Sequence, residues 1–325
     1  TEVLLALYDK YGSSCVEHLD GMFAFALWDE KDQTLFCARD RFGEKPFFYY
    51  LDIHRFIFAS EIKCFWHADV TRNVNRKTLS NYLTDRGILY DYRAPKETFF
   101  ENIFQLEPAH TLTIKSGELT LSRYWKINPT ETAHVALSRS DAATQLSELL
   151  KKSVQKRLRS DVSVGSSLSG GIDSTAIVCL INALHSTGDP RQLTFSARFK
   201  DFAKDEGYFM ELAARNTNAL THQVFVDEEM LATHLDQLFY HQDEPTGGPS
   251  IFAQWCVMSL AKHHHTKVLL DGQGADEMLA GYHHYYYTYY YELLERDKKL
   301  FKEELSAIRL RYPVIYSHFE KYLLT

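Results

Sequence analysis

From Ser140 onward, β-branched apolar runs and helical periods alternate along the chain, and this alternation restricts the fold more than any other feature. Asp141 can cap a helix in which Ala142, Leu146, Leu149, Leu150, Val154 and Leu158 recur at three and four residues. The basic residues Lys151, Lys152, Lys156, Arg157 and Arg159 fall on the remaining, solvated surface. A strand over 162–168 precedes a helix over 174–184, with Ile172, Ala176, Leu180 and Leu184 on one face. Strands over 192–197, 221–226 and 266–270 follow, separated by helices over 205–217, 228–240 and 250–262. Strands joined through helices run parallel with right-handed crossovers, so the order predicts an α/β doubly wound parallel sheet.

Residues 21–126 have a different texture, with short aromatic or alternating runs broken by Gly, Pro and polar clusters. Strands are expected over 22–28, 34–38, 47–50 and 56–59, with two more over 111–114 and 119–121 flanking a KSGE hairpin turn. Short helices are expected over 62–66 and 76–84. This part reads as β-rich and antiparallel. After Trp125 the polar stretch KINPTETAHVALSRSD behaves as a linker and divides the chain into domains 1–127 and 128–325. A length of 325 residues accommodates both, at about 100 to 200 residues per domain.

Charge and composition narrow the partners. With 36 basic and 43 acidic residues the net charge is −7, the wrong sign for a phosphate-backbone binder, so no nucleic acid partner is expected. The longest apolar runs, such as 22–28, reach only about seven residues where a membrane helix needs about twenty, so no membrane partner is expected either. The opening TEVLLALYDKYG has no basic n-region or small-residue cleavage site. It starts at Thr1 directly on an amphipathic pattern of Val3, Leu4 and Leu7, which reads as a chain entered midway through a domain. The cysteines, Cys15, Cys37, Cys64, Cys179 and Cys256, are odd in number and form no C-x-x-C pair. They read as small buried hydrophobes in a reducing, cytoplasmic compartment.

Ligands of a doubly wound sheet gather at the carboxyl ends of its strands, and two glycine-rich turns fall there. The first is SLSGGIDST, residues 167–175. Gly170 and Gly171 allow close backbone approach to an anion, Ser169 and Ser174 offer hydroxyls, and the next helix directs its positive end there. The pattern is a phosphate cradle without the G-K-[ST] of a Walker loop or the G-x-G-x-x-G of a dinucleotide fingerprint. Asp173 beside phosphates would repel them unless a divalent cation intervened, which implies Mg²⁺. The second turn is LLDGQGADEMLAGY, residues 269–282, where Asp271 ends the strand, Gly272 and Gly274 free the backbone, and Asp276 and Glu277 open a helix. Asp276 facing the first turn would complete a magnesium site with Asp173; alternatively, it and Glu277 only complement a helix dipole. Two such turns in one sheet favour a nucleotide site.

SLSGGIDST is similar to the S-G-G-x-D-S signature of the N-type ATP pyrophosphatases, and with GQGADE and a following GY it resembles the asparagine synthetase (glutamine-hydrolysing) family. HLDGMFAFALWDEKDQTLFCARDRFGEKPFFYY, FASEIK and RYW resemble the latter part of that family's N-terminal-nucleophile glutaminase domain, an α+β fold, so domain 1–127 is expected to be a partial domain of that kind. The resemblance implies a ligase that uses ATP to adenylate aspartate and displaces AMP with ammonia, drawn from glutamine, to give asparagine. It implies that Ser169, Gly170, Gly171 and Ser174 hold the pyrophosphate of ATP, that Asp173 and Asp276 bind Mg²⁺, and that Leu168, Ala197, Asp271 and Gly272 line the nucleoside and adenylate pocket. The partners implied are small molecules (ATP, aspartate, and ammonia or glutamine), and a homodimer is compatible with them.

Three departures qualify the resemblance. The family's glutaminase nucleophile is a Cys at the mature amino terminus and has no counterpart here; Thr1 reads as a helix N-cap, so this chain as written is not expected to hydrolyse glutamine. Gln273 stands where the family commonly has a catalytic Glu, and an amide cannot take up a proton at neutral pH, which leaves the acceptor carboxylate open. A sugar precursor, a peptide or a lactam-forming acid is the alternative substrate, and a degenerate nucleotide binder the alternative function. The family's synthetase domain also continues past residue 325, and Lys298, Lys299, Lys302, Arg309 and Arg311 read as a solvated face.

Other features admit two readings. His263, His264 and His265 point in different directions on a helix and so do not share a metal. The aromatics of 283–291 suit packing against the other domain better than a substrate cleft. Asp205, Glu206, Asp243 and Glu244 are either substrate contacts or ordinary helix-start and loop acids, with the latter two in a loop facing the site. Arg39, Asp40, Arg41 and Lys45 either brace the ammonia route or form a local ion-pair network.

Overall fold

Alternating side chains in the β-rich part put one set of residues on each face of a strand, and in a computed structural model of the chain both faces are covered. The structure describes residues 1–84, 96–128, 137–185 and 191–323. After helix α1 (Glu2–Tyr11) come strands β1 (Ala24–Asp29), β2 (Thr34–Arg39), β3 (Phe48–Leu51) and β4 (Phe56–Ala59), then helix α2 (Arg76–Thr84) and strands β5 (Ile103–Gln105), β6 (His110–Lys115) and β7 (Glu118–Arg123). One antiparallel sheet runs β1-β2-β6-β7 and a second β4-β3-β5. Cys37 of β2, Tyr49 of β3 and Leu112 of β6 meet in one core between the sheets. Phe36 and Ala38, on the opposite face of β2, pack with Leu4, Leu7 and Tyr8 of α1. Phe48 and Tyr50 turn outward from β3 onto Ile62 and Phe65 of the 3-10 helix Ile62–Ala68. The order across the unit is helical layer, sheet, sheet, helical layer.

The sequence-based strand expectations hold to within two residues, apart from β5, which is too short to announce itself. The KSGE hairpin forms as expected, with Ser116 and Gly117 both at positive φ, the conformation that a two-residue turn between twisted strands requires.

Helix α3 (Arg139–Arg157) leads into the second part: β8 (Val164–Ser167), α4 (Ile172–Leu184), β9 (Leu193–Arg198), α5 (Gly207–Thr217), β10 (Leu220–Phe225), α6 (Glu228–Gln242), α7 (Ser250–His263), β11 (Val268–Leu270), α8 (Ala275–Leu279), α9 (His283–Arg296), α10 (Lys298–Ala307) and α11 (Pro313–Phe319). The sheet order is β10-β9-β8-β11 and every pairing is parallel. Leu168, Val178, Met210 and Ala213 fill one face beneath α4 and α5. Phe195 with Val257 and Ala261 of α7 fills the other. The sheet is therefore wound on both sides, as the alternation predicted.

Contacts gather the chain into two compact units, Thr1–Asp141 with Glu228–Trp255, and Ala142–Asp227 with Cys256–Thr325. The segment between β10 and the first part of α7 therefore groups with the β-rich unit, which no local sequence signal announced. Residues 129–136 of the expected linker lie outside the described residues.

Several local expectations are corrected. Ser138 is the capping residue of α3: its hydroxyl accepts from the Asp141 N–H at 3.1 Å and donates to the Asp141 carboxylate at 2.7 Å, so Asp141 is the reciprocal partner three positions on. Leu146 and Leu149 of that helix are exposed and only Val154 is buried. On α4 the inward residues are Ser174, Val178 and Ile181, while Ile172 is 87% exposed. Most of α4 is apolar, so its period could not select a face. Cys15, Cys37 and Cys256 are buried as expected, but Cys64 and Cys179 are exposed. The tyrosine-rich helix α9 packs on α10 and α11 of its own unit, with Tyr290, Phe301, Leu305, Ile315 and Phe319 fully buried together.

Candidate functional site

The strand order reverses at β8, since β9 lies on one side of it and the later β11 on the other. A crevice opens at such a switch point, and both glycine turns leave the carboxyl ends of these two neighbouring strands. Local chemistry fixes the first turn. Ser169 N–H donates to Ser174 Oγ at 3.2 Å, the two hydroxyls are 3.0 Å apart, Gly171 N–H donates to Ser169 Oγ at 3.3 Å, and Ser174 Oγ donates to the Gly171 carbonyl at 3.2 Å. Gly171 is the N-cap of α4 and, lacking a side chain, makes no cap bond to the amides of the first turn, the kind of group that suits an anion.

Two glycines admit close approaches that no other residue allows. Gly170 has φ +88°, and a Cβ there would stand 2.8 Å from the Glu206 carbonyl oxygen and 3.2 Å from Phe209 Cβ. A Cβ on Gly272 would stand 2.7 Å from Ser174 N and 3.0 Å from Asp173 Cβ. The backbone of the second turn thus rests directly on the first turn of α4 and brings Asp173 next to the Asp271–Asp276 loop.

The remaining expected residues fall as follows. Leu168 buries its side chain against Val178, Met210 and Ala213, gives its N–H to the Phe195 carbonyl at 3.0 Å and accepts from Ser196 Oγ at 2.6 Å. Ala197 lies near the end of β9 and is half-buried. Asp271 follows β11, and Gln273 is exposed in the turn before α8. The Asp276 carboxylate occupies the space that a side chain at Gly281 would need. Asp173 and Asp276 are both partly buried. Among the described residues no three His, Cys, Asp or Glu side chains converge on a common point. Mg²⁺ is held through one or two carboxylates with phosphates and waters completing its shell, and Asp173 and Asp276 are side chains of that chemistry.

Other acids prove to be structural. Asp243 accepts from the N–H groups of Ile62 at 2.8 Å and Lys63 at 3.3 Å and pairs with Lys63 Nζ at 3.1 Å; Glu244 accepts from Phe99 N–H at 2.7 Å. Tyr82 Oη donates to the Thr246 carbonyl at 2.8 Å. This loop grips the backbone of the β-rich unit to which it belongs, and burial pushes the Glu244 carboxyl up. Sequence reading missed this because such bonds join residues about 145 to 181 positions apart. Arg39 and Asp40 likewise serve the backbone. Asp40 accepts from the amides of Phe23, Phe42, Glu44 and Lys45, while Arg39 donates to the carbonyls of Gly43, Lys45 and Leu106. Thr1 occupies the N-cap position of α1 without a side-chain cap bond. His264 stacks on His222 of β10 with ring centroids 3.6 Å apart, and desolvation, with the neighbouring ring, holds the His222 pKa below its ordinary value.

Comparison with known proteins agrees with both halves. The asparagine synthase family matches residues 145–316, just over half of the chain, and the glutamine amidotransferase domain matches residues 1–125. The chain belongs to the asparagine synthase family. It is similar to asparagine synthetase [glutamine-hydrolyzing] 3 of Bacillus subtilis (strain 168), at 33% identity over 87% of this chain and 47% of that protein. Asparagine synthetase [glutamine-hydrolyzing] 1 of the same organism is 33% identical over 96% of this chain and 48% of its own length. Amidase chyE of Penicillium rubens is 30% identical over 86% of this chain and 43% of that protein. The chain spans about half the length of these curated relatives. Among the described residues no helix is long and apolar enough to cross a membrane.

Proposed function

We propose that this chain carries the nucleotide-using part of an ATP-dependent amide ligase that adenylates aspartate and converts it to asparagine with ammonia, supplied from glutamine in the whole protein. The observation that carries this reading is the contact of Gly272 with the backbone of Asp173 and Ser174, which joins two anion-suited turns into one cradle. A carboxylate oxygen of the acid attacks the α-phosphorus and pyrophosphate leaves; ammonia then attacks the acyl carbon and AMP leaves. Charge accumulates on the departing pyrophosphate, so donors belong on the β- and γ-phosphates, where Ser169, Gly170, Gly171 and Ser174 would provide them, with Ser169, Gly171 and Ser174 turning donors from the bonds within the turn to the phosphates. Bound Mg²⁺ supplies charge neutralisation there, and Asp173 and Asp276 are the residues that would hold it. Ala197, Asp271 and Gly272 would bound the nucleoside side, with Leu168 backing it from the core.

A second reading, the same chemistry on another carboxylic acid, is supported by the neutral, exposed Gln273 and by the likeness to a protein named an amidase. Release of AMP and pyrophosphate from ATP, measured with ammonium and a panel of acids, separates the two. Aspartate-dependent AMP supports the first reading, and AMP with another acid only supports the second. Nucleotide binding without turnover on any acid would overturn both and leave a nucleotide-binding relative.

A further inference from the structure

Arg198, the last residue of β9, and Asp205, in the loop before α5, form a fork-shaped ion pair with little exposure on either side: Arg198 Nε lies 3.1 and 2.9 Å from the two Asp205 oxygens and Nη2 lies 2.9 Å from Oδ2. The same carboxylate accepts from Phe199 N–H at 2.9 Å and Gly207 N–H at 3.2 Å. A carboxylate has roughly four lone-pair sites, and these donors engage them, so Asp205 cannot take a metal or substrate without surrendering the pair. Arg198 is anchored from the other side as well, with Nη1 donating to Gln223 Oε1 at 3.2 Å and the guanidinium over the Phe225 ring at 5.6 Å. Its guanidinium fills the space that any side chain at Gly207 would need, which explains the glycine there.

The clasp has a second end. By fixing Phe199 and Gly207 it sets the short loop between them, and Glu206, inside that loop, presents the carbonyl that lies against Gly170 together with Phe209. Gly170 is the residue at φ +88° on which the first turn depends.

We infer that Arg198 and Asp205 are positioning residues for the phosphate cradle: they act through the Glu206–Phe209 wall to hold Gly170, and with it the Ser169–Ser174 turn, in its anion-accepting shape. This rests on the reading of the turn as a nucleotide site, and the two can be tested apart.

The decisive experiment measures hydrogen exchange of residues 168–174 in the nucleotide-free chain and, separately, Mg²⁺-ATP affinity. In Asp205→Asn and Arg198→Ala the 168–174 segment should exchange about tenfold faster while residues 301–319, a buried core of the same unit, keep wild-type rates, which also verifies that this unit is folded. Arg198→Lys, retaining charge but not the fork, should fall between. Arg215→Ala, which removes an exposed pair with Glu211, should leave exchange unchanged. ATP affinity should fall about tenfold in Asp205→Asn and Arg198→Ala, and in turnover assays KM for ATP should rise with kcat little altered. Wild-type exchange at 168–174 in both folded variants would overturn the positioning role. Absence of ATP binding by the wild-type chain would instead overturn the nucleotide reading, and exchange would still decide the mechanical one.

Discussion

The two glycine turns at the ends of β8 and β11 are built on opposite plans. The first is braced from inside and outside, by hydroxyl and amide bonds among Ser169, Gly171 and Ser174 and by the Glu206–Phe209 wall behind Gly170. The second leans on the first through Gly272, exposes Gln273, and folds Asp276 back over Gly281. A cradle for a multiply charged group must be shaped before the ligand arrives, because ordering it afterwards would subtract from binding. A turn that presents side chains to a variable substrate would have no such requirement. Under the proposed function, the difference would give affinity to the first turn and selectivity to the second.

Substitutions can break or sharpen that contrast. The largest effect is expected from Gly170→Ala, which combines a left-handed backbone with a carbonyl in the path of the new Cβ; a loss of about 2–4 kcal/mol in urea unfolding, with loss of ATP binding, is the expected outcome. Ser174→Ala removes the acceptor of the Ser169 N–H and should cost about 1–3 kcal/mol by the same measurement. Acid provides a smaller, graded perturbation. The Arg198 hydrogen bonds, aided by the Phe199 and Gly207 amides, hold the Asp205 carboxyl below its ordinary value of 3.8. Its contribution is therefore full above that value and is lost as pH falls through the depressed folded value. Exchange at 168–174 should quicken over that acid window, and Asp205→Asn should abolish the dependence. Least affected is stability in Gln273→Glu, within about 0.5 kcal/mol, because the side chain is exposed. Its effect should appear instead as faster aspartate-dependent pyrophosphate release if aspartate is the acid adenylated; an unchanged rate would weaken that assignment.

Much of this was legible in the residues. Alternating periods gave the parallel sheet, and spacing put SLSGGIDST and the Asp271–Asp276 loop at strand ends, since both signals are local. The inward face of α4 was not legible, because an almost wholly apolar helix has no preferred side until a sheet selects one. Nor were the duties of Asp205, Asp243 and Glu244, each of which accepts from backbone amides that carry no sequence identity, Asp205 and Asp243 in addition to their pairs with Arg198 and Lys63. Gly207 shows the same limit: its need for a missing side chain follows from the Arg198 guanidinium, nine positions earlier.

The central claim, that the β8 and β11 turns form one magnesium-dependent ATP site, is tested most directly by calorimetric titration of the chain with ATP in the presence and absence of Mg²⁺, repeated with Asp173→Asn. One nucleotide per chain, bound tightly only with Mg²⁺ and at least about tenfold more weakly by the variant, is predicted, a difference of roughly 1.4 kcal/mol or more. Equal affinity with and without the cation, or in the variant, would contradict it.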